Sequence, residues 1–200
     1  RYVYNSEGLH LAEKKELANM GDSETLADFL KFCTKNFPAD KTMVLFWNHG
    51  GGSVAGAAFD QNYYNDSLNL GEFYEAFNDA FELSNDDPPI DVIGFDACLM
   101  ATVDVAFTFA DVARYLVASE ELEPGEGWDY KAWLQALSDD PGMGGAKLGK
   151  IICDSYKAAA DSRELYAAVA GAARSMGHVC APSLWQKAVA RCIALRPALD

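Results

Sequence analysis

The chain has 200 residues, half of them hydrophobic and 12% aromatic, which is enough for one domain with a packed core. Its formal net charge of -14, from 30 acidic and 16 basic residues, repels phosphate backbones and argues against nucleic-acid binding. The same charge favours cationic ligands, and no apolar run approaches the length needed to span a bilayer.

The first residues, Arg1 followed by strand-like Tyr2-Val3-Tyr4, read as part of something longer, and no signal peptide is visible. Asp22 is the expected N-cap of a helix over about residues 23–36, which Pro38-Ala39-Asp40 ends. Thr42 to Trp47 is a continuous apolar run, the pattern of a strand buried on both faces. It stops at Asn48-His49-Gly50-Gly51-Gly52-Ser53, a glycine-rich turn. Residues 54–66 read as loop. Asp66 or Ser67 is then placed to cap a helix carrying Leu68, Leu70, Phe73, Phe77 and Phe81, whose apolar stripe is core.

After the break at Asp86-Asp87-Pro88-Pro89, Ile90 to Phe95 is the next strand. It runs into Asp96-Ala97-Cys98, and a helix is expected from Leu99 to about Val112. Tyr115 to Ala118 is a third strand, and Glu120 to Tyr130 a loop rich in Gly, Pro and acids. The alternation of helix and strand predicts an α/β sandwich around a parallel sheet. Residues 161–200 are Ala-rich and read as a separate helical segment beyond a domain of residues 1–160.

The five cysteines are widely spaced, odd in number and without a C-x-x-C pair, which argues against a disulfide scaffold and a zinc site. Cys33 falls at helical spacing among core residues. His10 and His178 have no partner at metal-ligand spacing, so no metal site is expected.

Ligands of open parallel sheets bind beyond the carboxyl ends of the strands. His49 follows one such strand and Cys98 the next, with a single crossover helix between them, so the two are expected to share one crevice. A Cys–His pair is the minimum for thiol nucleophilic catalysis. With Cys98 opening a helix, free backbone N–H groups would favour its thiolate. Asp96 opposes an ionised thiol and so needs another purpose, for which holding a cationic substrate group is suited. The N–H groups of Gly50 and Cys98 are the candidate oxyanion hole.

Two segments, Trp47-Asn48-His49-Gly50-Gly51-Gly52 and Gly94-Phe95-Asp96-Ala97-Cys98-Leu99-Met100, together resemble the catalytic signature of the clostripain family of cysteine peptidases, which shares its fold with caspases, gingipains and legumains. Residues 19–35, Leu68–Ala76 and Ala118–Tyr130 are also similar, and the likeness runs over about residues 1–160. The resemblance implies a caspase-like three-layer α/β/α sandwich with a mainly parallel sheet, a Cys98–His49 dyad, and cleavage of peptides or proteins after Arg or Lys. It also implies export from a bacterium. The family holds the basic side chain with acids near the nucleophile and on the following loop. Asp96 matches the first. Asp129 is the first choice for the second and Glu126 the next, with Glu120, Glu121 and Glu123 on the same loop. No cofactor is implied; some members depend on calcium, but no calcium loop is recognisable here.

Members are often matured by self-cleavage after a basic residue between the two catalytic residues. This chain has no Lys or Arg between Lys41 and Arg114, so that cut is not open to it. A single-chain enzyme, or maturation elsewhere such as near Arg1, is expected. The rival reading is a non-catalytic or incomplete caspase-like module whose acidic crevice holds basic peptides. An esterase reading of His49-Gly50-Gly51-Gly52 fails because Ser53 is out of register for a G-x-S-x-G elbow.

Overall fold

In a computed structural model, which describes residues 1–160, the three apolar runs form one parallel sheet. A short antiparallel hairpin comes first, from β1 (Tyr2–Asn5) and β2 (Gly8–Leu11). Helix α1 (Ser23–Asn36) follows, capped as expected by Asp22, whose side chain accepts the Glu24 N–H. Strand β3 (Met43–Trp47) leads through the glycine turn into a one-turn helix α2 (Gly52–Ala55). Residues read as loop then form a second hairpin, β4 (Ala57–Asp60) and β5 (Asp66–Leu68). Helix α3 (Leu70–Ala80) is capped by Asn69, not by Asp66 or Ser67, which β5 takes up. Asn69 and Glu72 form a reciprocal capping box there. Strand β6 (Ile90–Asp96), helix α4 (Val103–Thr108), strand β7 (Ala113–Val117), helix α5 (Tyr130–Asp139) and helix α6 (Gly145–Ala160) complete the described chain. The expectation for residues 161–200 lies outside the described residues. Among the described helices none is long and apolar enough to cross a membrane.

The sheet order is β3-β6-β7, all parallel, with helices on both faces. Alternation along the strands divides the side chains between two cores. Val44, Phe46, Ile93 and Phe95 point to the face covered by α1, α3 and α4, where they meet Leu30, Phe73, Phe77 and Val105. Met43, Leu45, Val92 and Val117 point to the face covered by α5 and α6, where they meet Trp128, Trp133 and Ile152. β3 differs from its expected place. Among the described residues it pairs on one side only, its residues are half-buried, and Trp47 is 68% exposed.

The register is the feature that positions the site. β3 and β6 pair residue for residue, ending with Trp47 opposite Asp96. His49 and Cys98 each lie two residues past that pair, at the same height on adjacent strand ends.

Candidate active site

The turns after the two strands are fastened together. Gly50 lies so close to the Cys98 carbonyl that a Cβ there would sit 2.1 Å from the oxygen and 3.1 Å from the Ala97 Cβ. Only a glycine fits. Asn48 anchors the other side of the turn: its Oδ1 accepts the Phe59 N–H at 3.0 Å and the His49 N–H at 2.6 Å. The backbone of His49 is thereby tied to β4 while its side chain stands exposed. Of the amides in this turn, that of Gly51 is committed to the Gly56 carbonyl at 2.7 Å.

The chain after Cys98 departs from the sequence reading. Cys98 does not open a helix: Leu99 takes a left-handed conformation at φ 64°, and α4 starts only at Val103, capped by Thr102. The helix-dipole argument for the thiol therefore falls. Another donor takes its place. The Leu99 and Ala101 N–H groups bond to the carbonyls of Glu121 and Ser119, which lays residues 119–123 alongside the turn that carries Cys98. The Glu123 N–H then donates to Cys98 Sγ at 3.2 Å, while the thiol faces the Glu123 carbonyl at 3.9 Å. The His49 imidazole makes no hydrogen bond to Cys98 among the described residues. Such pairs are often loose before substrate is bound.

Asp96 is 4% exposed and enclosed by the loop before α5. Its Oδ2 accepts the Trp128 N–H at 3.1 Å and the Tyr130 hydroxyl at 2.7 Å. Gly127, at φ 66°, crosses directly above, where a Cβ would come within 2.5 Å of Oδ2. Glu123 is its carboxyl neighbour. Glu123 Oε1 accepts the Trp128 indole N–H at 3.3 Å, and its buried Oε2 faces no donor. Two carboxyl groups share such a place only if one keeps a proton. Burial first, then the hydrogen bond and charge of Asp96, push the Glu123 carboxyl up to about 9, against the pull of Trp128. Burial, followed by Asp96, also raises the Tyr130 hydroxyl. Glu123, Ser119, Trp128, Cys153 and Tyr156 line a narrow pocket beside this pair.

The other acids of the loop lie elsewhere. Asp129 caps α5, accepting the Ala132 N–H at 3.0 Å, and Glu126 is exposed. The structure therefore gathers His49, Gly50, Cys98 and Asp96 at one place, and assigns Asp129 a task in the helix.

A family-level sequence model described as the clostripain family matches residues 5–174. The chain belongs to the clostripain family. It is 32% identical to clostripain of Hathewaya histolytica over 131 residues, 56% of this chain and 24% of clostripain. Among solved structures it resembles a secreted C11 cysteine protease from Bacteroides thetaiotaomicron bound to an irreversible peptide inhibitor. That likeness has a TM-score of 0.62 at 23% identity, over 78% of this chain and 43% of the other. An inactive zymogen C11 protease from Parabacteroides distasonis aligns with a TM-score of 0.56 at 20% identity, over 81% and 44%. The shared fold is thus that of the C11 proteases, and the chain spans less than half the length of each relative.

Within this clostripain-family site, sequence reasoning passed over Trp128 and Tyr130 and named Glu123 only as a further acid on the loop. Trp128 and Tyr130 stood in the quoted Ala118–Tyr130 segment but carried no charge to draw attention. Glu123 is one acid of three in Glu120-Glu121-Leu122-Glu123, and its contacts with the Trp128 indole and Asp96 tell it from the others.

Proposed function

We propose that this chain carries the catalytic centre of a cysteine endopeptidase that cleaves after Arg or Lys, with Cys98 as nucleophile and His49 as its base. The observation that carries this reading is the level placement of His49 and Cys98 two residues beyond the paired Trp47 and Asp96, with Gly50 seated on the Cys98 carbonyl. His49 takes the thiol proton, and the sulfur attacks the carbonyl carbon on the C-terminal side of the basic residue. The N–H groups of Gly50 and Cys98 receive the developing oxyanion. His49 returns the proton to the leaving amine, and water, deprotonated by His49, hydrolyses the thioester and frees the thiol. Asp96 supplies negative charge beside the nucleophile for the basic side chain. Asp129, bound to its helix, and Glu126, exposed, are weaker partners for it. Export from a bacterium accords with the secreted relative.

The test is hydrolysis of fluorogenic peptides ending in Arg, Lys or Asp. The basic peptides are expected to be cleaved and the acidic one left intact, and Cys98→Ala is expected to lose at least about a thousandfold in turnover with the fold unchanged. Undiminished hydrolysis by Cys98→Ala removes the assignment. Tight binding of the basic peptide without hydrolysis by the unaltered protein points to the non-catalytic module. Intact mass of the active protein is a second check, with no break expected between residues 50 and 98; a nick there contradicts the absence of Lys and Arg as a barrier to self-cleavage.

A further inference from the structure

We propose that Asn48 is a positioning residue for the reaction: its side-chain amide holds the main chain of His49 against β4 and so sets where the imidazole stands beside Cys98. The inference deepens the peptidase reading and rests on it. A base that serves a nucleophile is commonly oriented by a third group bonded to its ring. Among the described residues the His49 ring has no hydrogen bond; the atom of His49 that is held is its backbone N–H. The direction of the ring must then be set through the main chain.

Three residues around His49 are attached to β4. The Gly51 N–H bonds to the Gly56 carbonyl, just before the strand, at 2.7 Å, and Gly50 forms an antiparallel bridge with Ala57. Asn48 makes the third attachment with its side chain. Its Oδ1 accepts the Phe59 N–H at 3.0 Å, and its Nδ2 donates to the Phe59 carbonyl at 3.3 Å. These are the two bonds that a paired backbone residue would make with Phe59. The same Oδ1 accepts the His49 N–H at 2.6 Å. His49 is therefore fixed from both sides, by the glycines after it and by Asn48 before it.

Phe59 is presented for this contact. The register of the β4–β5 hairpin shifts between Ala57 and Asp60, which leaves Phe59 outside the regular pairing. Ala58, just before it, stands at φ 63°, a left-handed conformation that a residue with a Cβ adopts at a cost. A hairpin serving only its own two strands has no use for either feature. Both follow if the N–H and carbonyl of Phe59 are reserved for Asn48. An asparagine amide suits the task because it carries a donor and an acceptor on one short arm.

The test separates an effect through His49 from a general distortion of the turn. Hydrolysis of an arginine peptide is measured for the unaltered protein, Asn48→Ala, Asn48→Asp, His49→Ala and the double variant Asn48→Ala with His49→Ala. Asn48→Ala should lose about tenfold to a hundredfold in kcat with KM unchanged, because a misplaced base leaves substrate binding intact. Asn48→Asp keeps the oxygen that takes both N–H bonds and should recover most of that loss. With His49 already removed, Asn48→Ala should cost nothing more, read as residual hydrolysis of an activated arginine ester. Asn48→Ser, too short to reach Phe59, replaces the alanine variant throughout if that one does not fold. An unchanged kcat overturns the proposal, as does a loss confined to KM or a full further loss in the His49→Ala background. Failure of the peptidase reading has a different signature: the unaltered protein and Cys98→Ala then hydrolyse the peptide equally or not at all, and the proposal falls with it.

Discussion

The two faces of the sheet are built on different terms. Under α1, α3 and α4 lies an apolar aromatic core: Phe46 stacks on Phe95 at 5.1 Å, and Phe73 meets both edge-on at 5.0 and 5.6 Å. Under α5 and α6 the core is mixed. It holds Trp128, Trp133 and Tyr156, and the two buried polar side-chain atoms without a partner among the described residues, Glu123 Oε2 and Trp133 Nε1, lie on this side. The contrast shows a division of labour within one sheet. The first face supplies the burial that holds β3 and β6 in register. The second accepts incompletely satisfied polar groups, which cost stability.

The sharpest test of this division is Phe73→Ala. Phe73 is fully buried among three other phenylalanine rings, and its loss should cost about 3–5 kcal/mol in a denaturant titration. Affinity for basic peptides per folded molecule should stay unchanged. A large loss of affinity with little loss of stability would erase the distinction between the faces. A smaller effect is expected on the other side from Gly94→Ala. A Cβ at Gly94 would lie 2.9 Å from Leu45 Cδ1 and 3.0 Å from Trp128 Cη2. Overpacking should cost about 1–3 kcal/mol and, by shifting the indole that holds Glu123, weaken basic-peptide binding as well.

The most gradual effect concerns pH. A carboxyl raised from an ordinary value to about 9 binds its proton more tightly in the folded than in the unfolded chain. Between those two values the folded state holds more protons, so its stability falls as pH rises, by at most about 1.4 kcal/mol per unit. Glu123→Gln should therefore gain stability relative to the unaltered protein from about pH 5 to 9, and the gap should stop widening above that range. Parallel stability–pH curves would show that Glu123 is ionised in the fold and would remove the basis of the asymmetry.

How far the sequence was legible follows from the physics of each segment. β3, β6 and β7 declare themselves because mostly apolar runs are what a covered parallel strand needs, though Asp91 interrupts β6 and Arg114 interrupts β7. The placement of His49 and Cys98 was equally plain, since each stands just beyond the end of such a run. The hairpin β4–β5 was hidden: Ala57-Ala58-Phe59-Asp60 has little strand propensity, and Ala58 takes a left-handed conformation at φ 63°. The missing helix turn after Cys98 was hidden for a tertiary reason. Leu99 and Ala101 give their N–H groups to Glu121 and Ser119, a bond across some twenty positions that no local pattern announces. Glu123 could not be told from Glu120 and Glu121 because its enclosure by Trp128 and Asp96 is not written in its neighbours in sequence.

The contact between Gly50 and the Cys98 carbonyl has one more consequence. A hydrogen atom in place of a methyl lets two turns from separate strands nest, and once nested neither turn can advance without the other. The histidine and the cysteine are thus parts of one rigid fitting, machined to a tolerance smaller than a carbon atom. Grafting this arrangement onto another sheet would require moving both turns and the glycine between them as a single block.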